Sequence, residues 1–127
     1  MTHAVLRSAL SDLAGLEGFR LACLVDVVTG TVVEFAPATA DPRHVEVAGA
    51  GSADLMRALT GMGARLTPDS AVEDVVVTLS QTCYVARLLP RAEGGPLALL
   101  LVIDRGSTAL AFALREVRRL AADGGRP

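Results

Sequence analysis

The chain has 127 residues, 51% of them hydrophobic, with no Trp, one Tyr and three Phe, and a formal charge of −2 from 12 basic and 14 acidic residues. That length suits one domain of common size, able to bury about two-thirds of its unfolded surface, and an apolar mass of Ala, Val and Leu calls for close, fairly flat packing. Every basic residue is Arg, and a near-neutral balance with one tight basic cluster, Arg115, Arg118 and Arg119, argues against nucleic acid as a main partner; the cluster reads as cations at a helix C-terminus.

Residues 3–15 set Val5, Leu6, Ala9, Leu10 and Leu13 on one side of a helix, with Arg7, Ser11 and Asp12 turned away. Gly15 and Gly18 stop it, and Leu16 drops onto the core before the first strand opens at Phe19. From Phe19 to Asp26 both alternating sets become apolar toward the middle, the mark of a central strand covered on each side. Val27 to Gly30 make the reversal, with Gly30 free to take positive φ, and Thr31 to Ala36 return as a second strand at the sheet edge. Pro37 and Pro42 bracket the loop that follows.

From His44 onward Val45, Ala48, Gly49, Ser52, Leu55, Met56, Leu59, Met62, Gly63 and Leu66 recur at three and four positions and predict a long helix with one sheet-facing side. Four glycines, Gly49, Gly51, Gly61 and Gly63, lie inside it. Each costs about 0.5–1 kcal/mol relative to Ala, so a packed neighbour must compensate. The opposite stripe, Ala50, Asp54, Arg57, Gly61 and Arg65, is flat, small and lightly charged, and suits a partner helix or a second protein.

Pro68, Asp69 and Ser70 break the chain before three further strands, Val72 to Ser80, Thr82 to Leu89 and Leu97 to Ile103, the last two joined across Arg91, Glu93, Gly94 and Gly95. The last is apolar on both faces and belongs at the centre. Val75, Val76 and Val77 put three β-branched residues on a strand without Lys or Pro protection. At the sheet edge such a strand is sticky, and pairing with the same strand of another copy covers it. Ser107 caps the last helix, whose buried side is Leu110, Ala113, Leu114, Val117, Leu120 and Ala121; residues 1–122 form one domain and 123–127 a disordered tail.

The chemistry is mostly exclusion. Gly49-Ala50-Gly51-Ser52 lacks both a feeding strand and the third Gly of a dinucleotide loop, and a chain without Lys has no phosphate-loop lysine, Schiff base or Ser-Lys dyad. There is no Gly-x-Ser-x-Gly elbow, His3 and His44 read as surface residues, and the adjacent Glu73 and Asp74 point to opposite strand faces. Cys23 and Cys83 read as small buried hydrophobes of a reducing compartment. No catalytic residue, metal site or cofactor is expected. Without a signal-peptide pattern or the ~20 apolar residues of a membrane span, the expected location is cytoplasmic, with no direct membrane insertion.

Taken in order, Leu10, Leu13 and Leu16 leading to Gly18, the strand ending Leu24-Val25-Asp26 with Gly30 after it, the long Ala- and Gly-rich helix, the valine-rich strand, the Leu97 to Asp104 strand and the closing helix Leu110-Ala111-Phe112-Ala113-Leu114-Arg115 with Leu120 resemble the Roadblock/LC7 family over nearly the whole chain. The resemblance implies an α+β, profilin-like sandwich: a five-stranded antiparallel sheet in order 2-1-5-4-3, the long helix on one face and the two terminal helices on the other. It implies a homodimer through the third strand and the long helix, and a non-enzymatic adaptor or regulator of a small Ras-like GTPase, in bacteria often beside a sensor kinase. The Arg-rich, Lys-free composition fits a high-GC bacterial genome. A profilin- or PAS-like small-ligand sensor, with a pocket between sheet and long helix opened by Gly61 and Gly63, and a pure scaffold are the alternatives.

Overall fold

The computed structural model describes residues 3–89, 94–106 and 110–124. In chain order it runs α1 (His3–Ala14), β1 (Phe19–Asp26), β2 (Val32–Ala36), α2 (Pro42–Leu66), β3 (Asp74–Thr78), β4 (Thr82–Leu89), β5 (Leu97–Asp104) and α3 (Leu110–Gly124). Ser107, Arg91, Glu93 and residues 125–127 lie outside the described residues, as do the side chains of His3 and Ala121. α3 runs two residues into the stretch expected as a tail.

The strands form one antiparallel sheet in the order β2-β1-β5-β4-β3. β1 and β5 sit at its centre, as their two-sided apolar character requires, with Phe19 opposite Ile103 and Asp26 opposite Leu97. Alternation along β1 divides the interior in two. Ala22 and Leu24 face α1 and α3 in a core with Leu10, Leu13, Leu101, Ile103 and Val117. Cys23 and Val25 face α2 in a second core with Ala53, Met56, Ala86 and Leu100. Each large side chain so enclosed contributes about 1.5–3 kcal/mol over leaving it in water.

Local chemistry sets the boundaries. α2 begins at Pro42, earlier than the expected His44, because the Asp41 carboxylate accepts the Arg43 amide at 2.9 Å and Pro42 has no amide to leave unpaired. That bond, the largest influence, and the Arg43 guanidinium beside it hold the Asp41 carboxyl below its ordinary range. The helix closes where Thr67 donates its amide to the Gly63 carbonyl at 2.8 Å. β2 starts at Val32 because the Thr31 carbonyl closes the hairpin by accepting the Asp26 amide at 2.8 Å. β3 is shorter than expected, covering only Asp74–Thr78.

The two ends of the sheet differ. Next to β2 the β1 register slips between Leu24 and Val25, Glu34 is held by Arg7 at 3.2 Å, and Pro37 follows the strand. Among the described residues β3 pairs with β4 alone, in unshifted register and with no proline directly after it.

Candidate functional site

β3 presents its valines to both faces of the sheet. Val75 and Val77 turn to the α2 side, whereas Val76 lies across from Val85 on the α3 side and is 39% exposed. The three residues expected to self-associate therefore occupy an edge, with apolar surface continuing from it in both directions.

α2 packs chiefly over β1, β2 and β5 and covers β4 and β3 only in part on that face, burying Ala86 of β4. The result is an apolar groove of about 490 Å³. Val47, Ala48, Gly51 and Leu55 of α2 form its wall; Leu21, Val75, Val77, Ala86, Leu100 and Val102 form its floor. Only His44, Ser52 and Tyr84 add polar groups to its lining among the described residues. Past Val75 it passes into a shallower depression of about 870 Å³, bordered by Leu59, Met62 and Leu66 on one side and by Val72 and Arg118 on the other.

This geometry corrects the single sheet-facing side expected for α2. Val45, Gly49, Ser52, Ala53 and Met56 are buried, but Ala48, Leu55, Leu59, Met62 and Leu66 line the two depressions, with Leu66 72% exposed. One helix facing a sheet hides a limited apolar stripe, and ten apolar or small positions from 45 to 66 exceed it. Val47, also 72% exposed, and Tyr84 were missed as surface anchors. The width of the apolar arc was their signal.

The stripe expected to meet a partner, Ala50, Asp54, Arg57, Gly61 and Arg65, is exposed throughout. It belongs to the flank of α2 beside the β1–β2 turn, so the fold does not bring it together with Val75, Val76 and Val77. Arg57 donates to the carbonyls of Val27 at 2.5 Å and Val28 at 3.3 Å and to the Asp54 carboxylate at 2.5 Å. The turn is itself held by Asp26, whose carboxylate accepts the amides of Val28 and Thr29 at 2.9 and 3.2 Å. Gly30, at φ +77°, comes against the α2 backbone, and a Cβ on Gly49 would lie 2.6 Å from the Gly30 carbonyl oxygen. Of the four helix glycines this is the one with a packed neighbour among the described residues. Gly51, Gly61 and Gly63 would each place a Cβ in open space among the described residues.

A charged clamp at the start of β3 was also missed. Asp74 accepts from Arg87 of β4 at 2.6 Å and from both Nε and Nη2 of Arg118 of α3, at 2.9 and 2.6 Å. Burial pushes the Asp74 carboxyl up, but the two guanidiniums outweigh it and hold the group below its ordinary range. The basic cluster is thus not a helix-terminal device: Arg118 holds β3, Arg119 pairs with Glu116 at 3.1 Å, and Arg115 lies 5.8 Å from the Phe112 ring centre. Cys23 and Cys83 are free and buried, and burial pushes the Cys23 thiol up to about 11, which leaves it protonated and unreactive. Among the described residues no group of His, Cys, Asp and Glu is arranged to hold a metal, and no helix is long and apolar enough to cross a membrane.

No family model and no curated protein matches the sequence. Solved structures do match in shape. Myxococcus xanthus MglB superimposes with a TM-score of 0.81 at 14% identity, over 98% of this chain and 95% of that one. A Roadblock/LC7 domain from Streptomyces avermitilis gives 0.76 at 21% identity over 92% of each chain. The gliding protein MglB of Thermus thermophilus gives 0.76 at 19% identity, over 99% of this chain and 91% of that one. Strand order, helix placement and these superpositions agree: the chain has the Roadblock/LC7 fold.

Proposed function

We propose that the protein is a non-enzymatic, homodimeric adaptor that binds a small Ras-like GTPase and biases its nucleotide state. The observation that carries the reading is the open β3 edge, continuous with an apolar floor that α2 covers only in part. A second copy joined edge to edge extends the sheet and brings its own α2 over that floor. The fold supports the GTPase assignment, since the Roadblock/LC7 resemblance implies such partners. A neighbour of 20% identity is described as MglB with a tetrameric arrangement, which supports a self-associating protein. On the outer flank of α2, Ala50, Asp54, Arg57, Gly61 and Arg65 give the GTPase a flat surface held firm by the β1–β2 turn. Regulation of this kind positions the GTPase's own catalytic groups. A sensor kinase is the further partner in this reading.

The test is capture of partners from a bacterial host lysate on the immobilised protein, once with GDP and once with a GTP analogue. A small GTPase enriched in one nucleotide state is the expected result, and Arg65→Glu should reduce its recovery at least several-fold without altering self-association. Recovery of no GTPase in either state turns the reading into a pure scaffold. The groove volume of about 490 Å³ also falls in the size range of small-ligand sites. A metabolite copurifying with the protein and retained by the monomer would favour the sensor instead.

A further inference from the structure

β3 is tied unevenly to the elements on its two faces. On the α2 side Val75 packs against the second core. On the α3 side, among the described residues, no residue of β3 joins the core that α3 shares with β4 and α1, and Val76 is left 39% exposed. The link from α3 to this strand is polar instead, running from Arg118 to Asp74, the first residue of β3. The two oxygens of that carboxylate are divided between two elements. Oδ1 accepts from Nη1 of Arg87 on β4, whereas Oδ2 accepts from both Nε and Nη2 of Arg118 on α3. Burial is lopsided as well, with 11% of the Asp74 side chain exposed against 55% for Arg118. The carboxylate is too enclosed to take water freely in place of a lost partner, but the arginine is not.

From this we infer that Arg118 is a latch that makes the order of the β3 edge depend on the seating of α3. Because the oxygens are divided, the latch opens on the α3 side while the pair between Asp74 and Arg87 stays closed. The strand thus has an open state of its own, distinct from unfolding of the sheet. In that state one oxygen of Asp74 has lost both its donors, and the cost falls on the residue at which the strand begins. The segment that leads into β3 lies beside the latch, since Ala71, Val72 and Glu73 border the same depression as Asp74 and Arg118. Whatever draws this part of α3 from the sheet therefore loosens the edge, and by linkage whatever pairs with the edge tightens α3. The consequence for self-association rests on the dimer reading above; the consequence for β3 itself does not.

The experiment is hydrogen–deuterium exchange of the full chain, read by mass spectrometry over β1, β3, β5 and α3, beside sedimentation equilibrium. Arg118→Gln should speed exchange over β3 about 5–30-fold while β1 and β5 keep their wild-type rates. Arg119→Gln, on the same helix but paired with Glu116, should leave β3 unchanged. Arg118→Lys keeps the charge without the two-pronged hold and should fall between. Asp74→Asn should speed exchange in α3 as well as in β3, as reciprocity requires. In sedimentation Arg118→Gln should weaken the dimer by a similar factor. Unchanged exchange over β3 in Arg118→Gln, or a rise shared equally by β1 and β5, would overturn the latch. A wild-type protein monomeric at tens of micromolar, with the β3 response intact, would overturn the dimer reading and leave the latch in place.

Discussion

At the scale of single residues, glycines of one helix do different work, and the difference is measurable. Gly49 has the Gly30 carbonyl oxygen and a Val32 methyl within 2.7 Å of where a Cβ would go, and the oxygen is backbone that cannot rotate away. Gly49→Ala should destabilise the protein by about 1–3 kcal/mol, the cost of overpacking exceeding the gain in helix propensity. Gly61→Ala, with nothing in reach among the described residues, should stabilise it by about 0.5–1 kcal/mol. Urea titrations of the two variants side by side check the contrast. The spacing of apolar residues shows that a glycine interrupts a helix, but only three-dimensional proximity shows which one a neighbour requires.

At the scale of elements, Asp74 ties β3 to β4 and α3 at once, so it fixes the strand on which the proposed self-association depends. Replacing it by Asn should cost about 1–2 kcal/mol, reduced from the value of a buried pair because Arg118 is half exposed. The carboxyl is held below its ordinary range when folded, so its stabilisation is complete above the unfolded value of about 3.9 and fades as pH falls through the lower folded one. Thermal melts of wild type and Asp74→Asn should therefore differ fully near neutral pH and converge only once the pH has fallen below the lowered folded value. Sequence patterning was enough for the element order and for the central strands, since β1 and β5 are apolar on both faces. It was enough for the edge position of the valine strand too, where Val76 is exposed and Val75 and Val77 are half-buried. It did not reach the clamp, because Asp74, Arg87 and Arg118 are up to 44 residues apart, and paired charges leave no periodic trace. It also merged two sides of α2 into one, because period alone does not tell a stripe covered by the sheet from one that borders an open groove.

At the scale of the whole molecule, the proposed homodimer, with an interface of valines and an open groove, ties folding to concentration. The melting temperature should rise with protein concentration across the micromolar range, as mass action requires of an association that only folded chains make. Val77→Arg, which sets a charge on the groove floor beside the shared edge, should abolish that dependence and yield a folded monomer by light scattering. The opposite end of the sheet has the slipped register beside β2, the Arg7–Glu34 pair and the following Pro37. A ribbon adhesive at both margins would recruit chain after chain into a fibre. If the copies join as proposed, one margin invites and the other resists, so growth would halt at a finite particle, a discrete two-sided platform instead of a polymer.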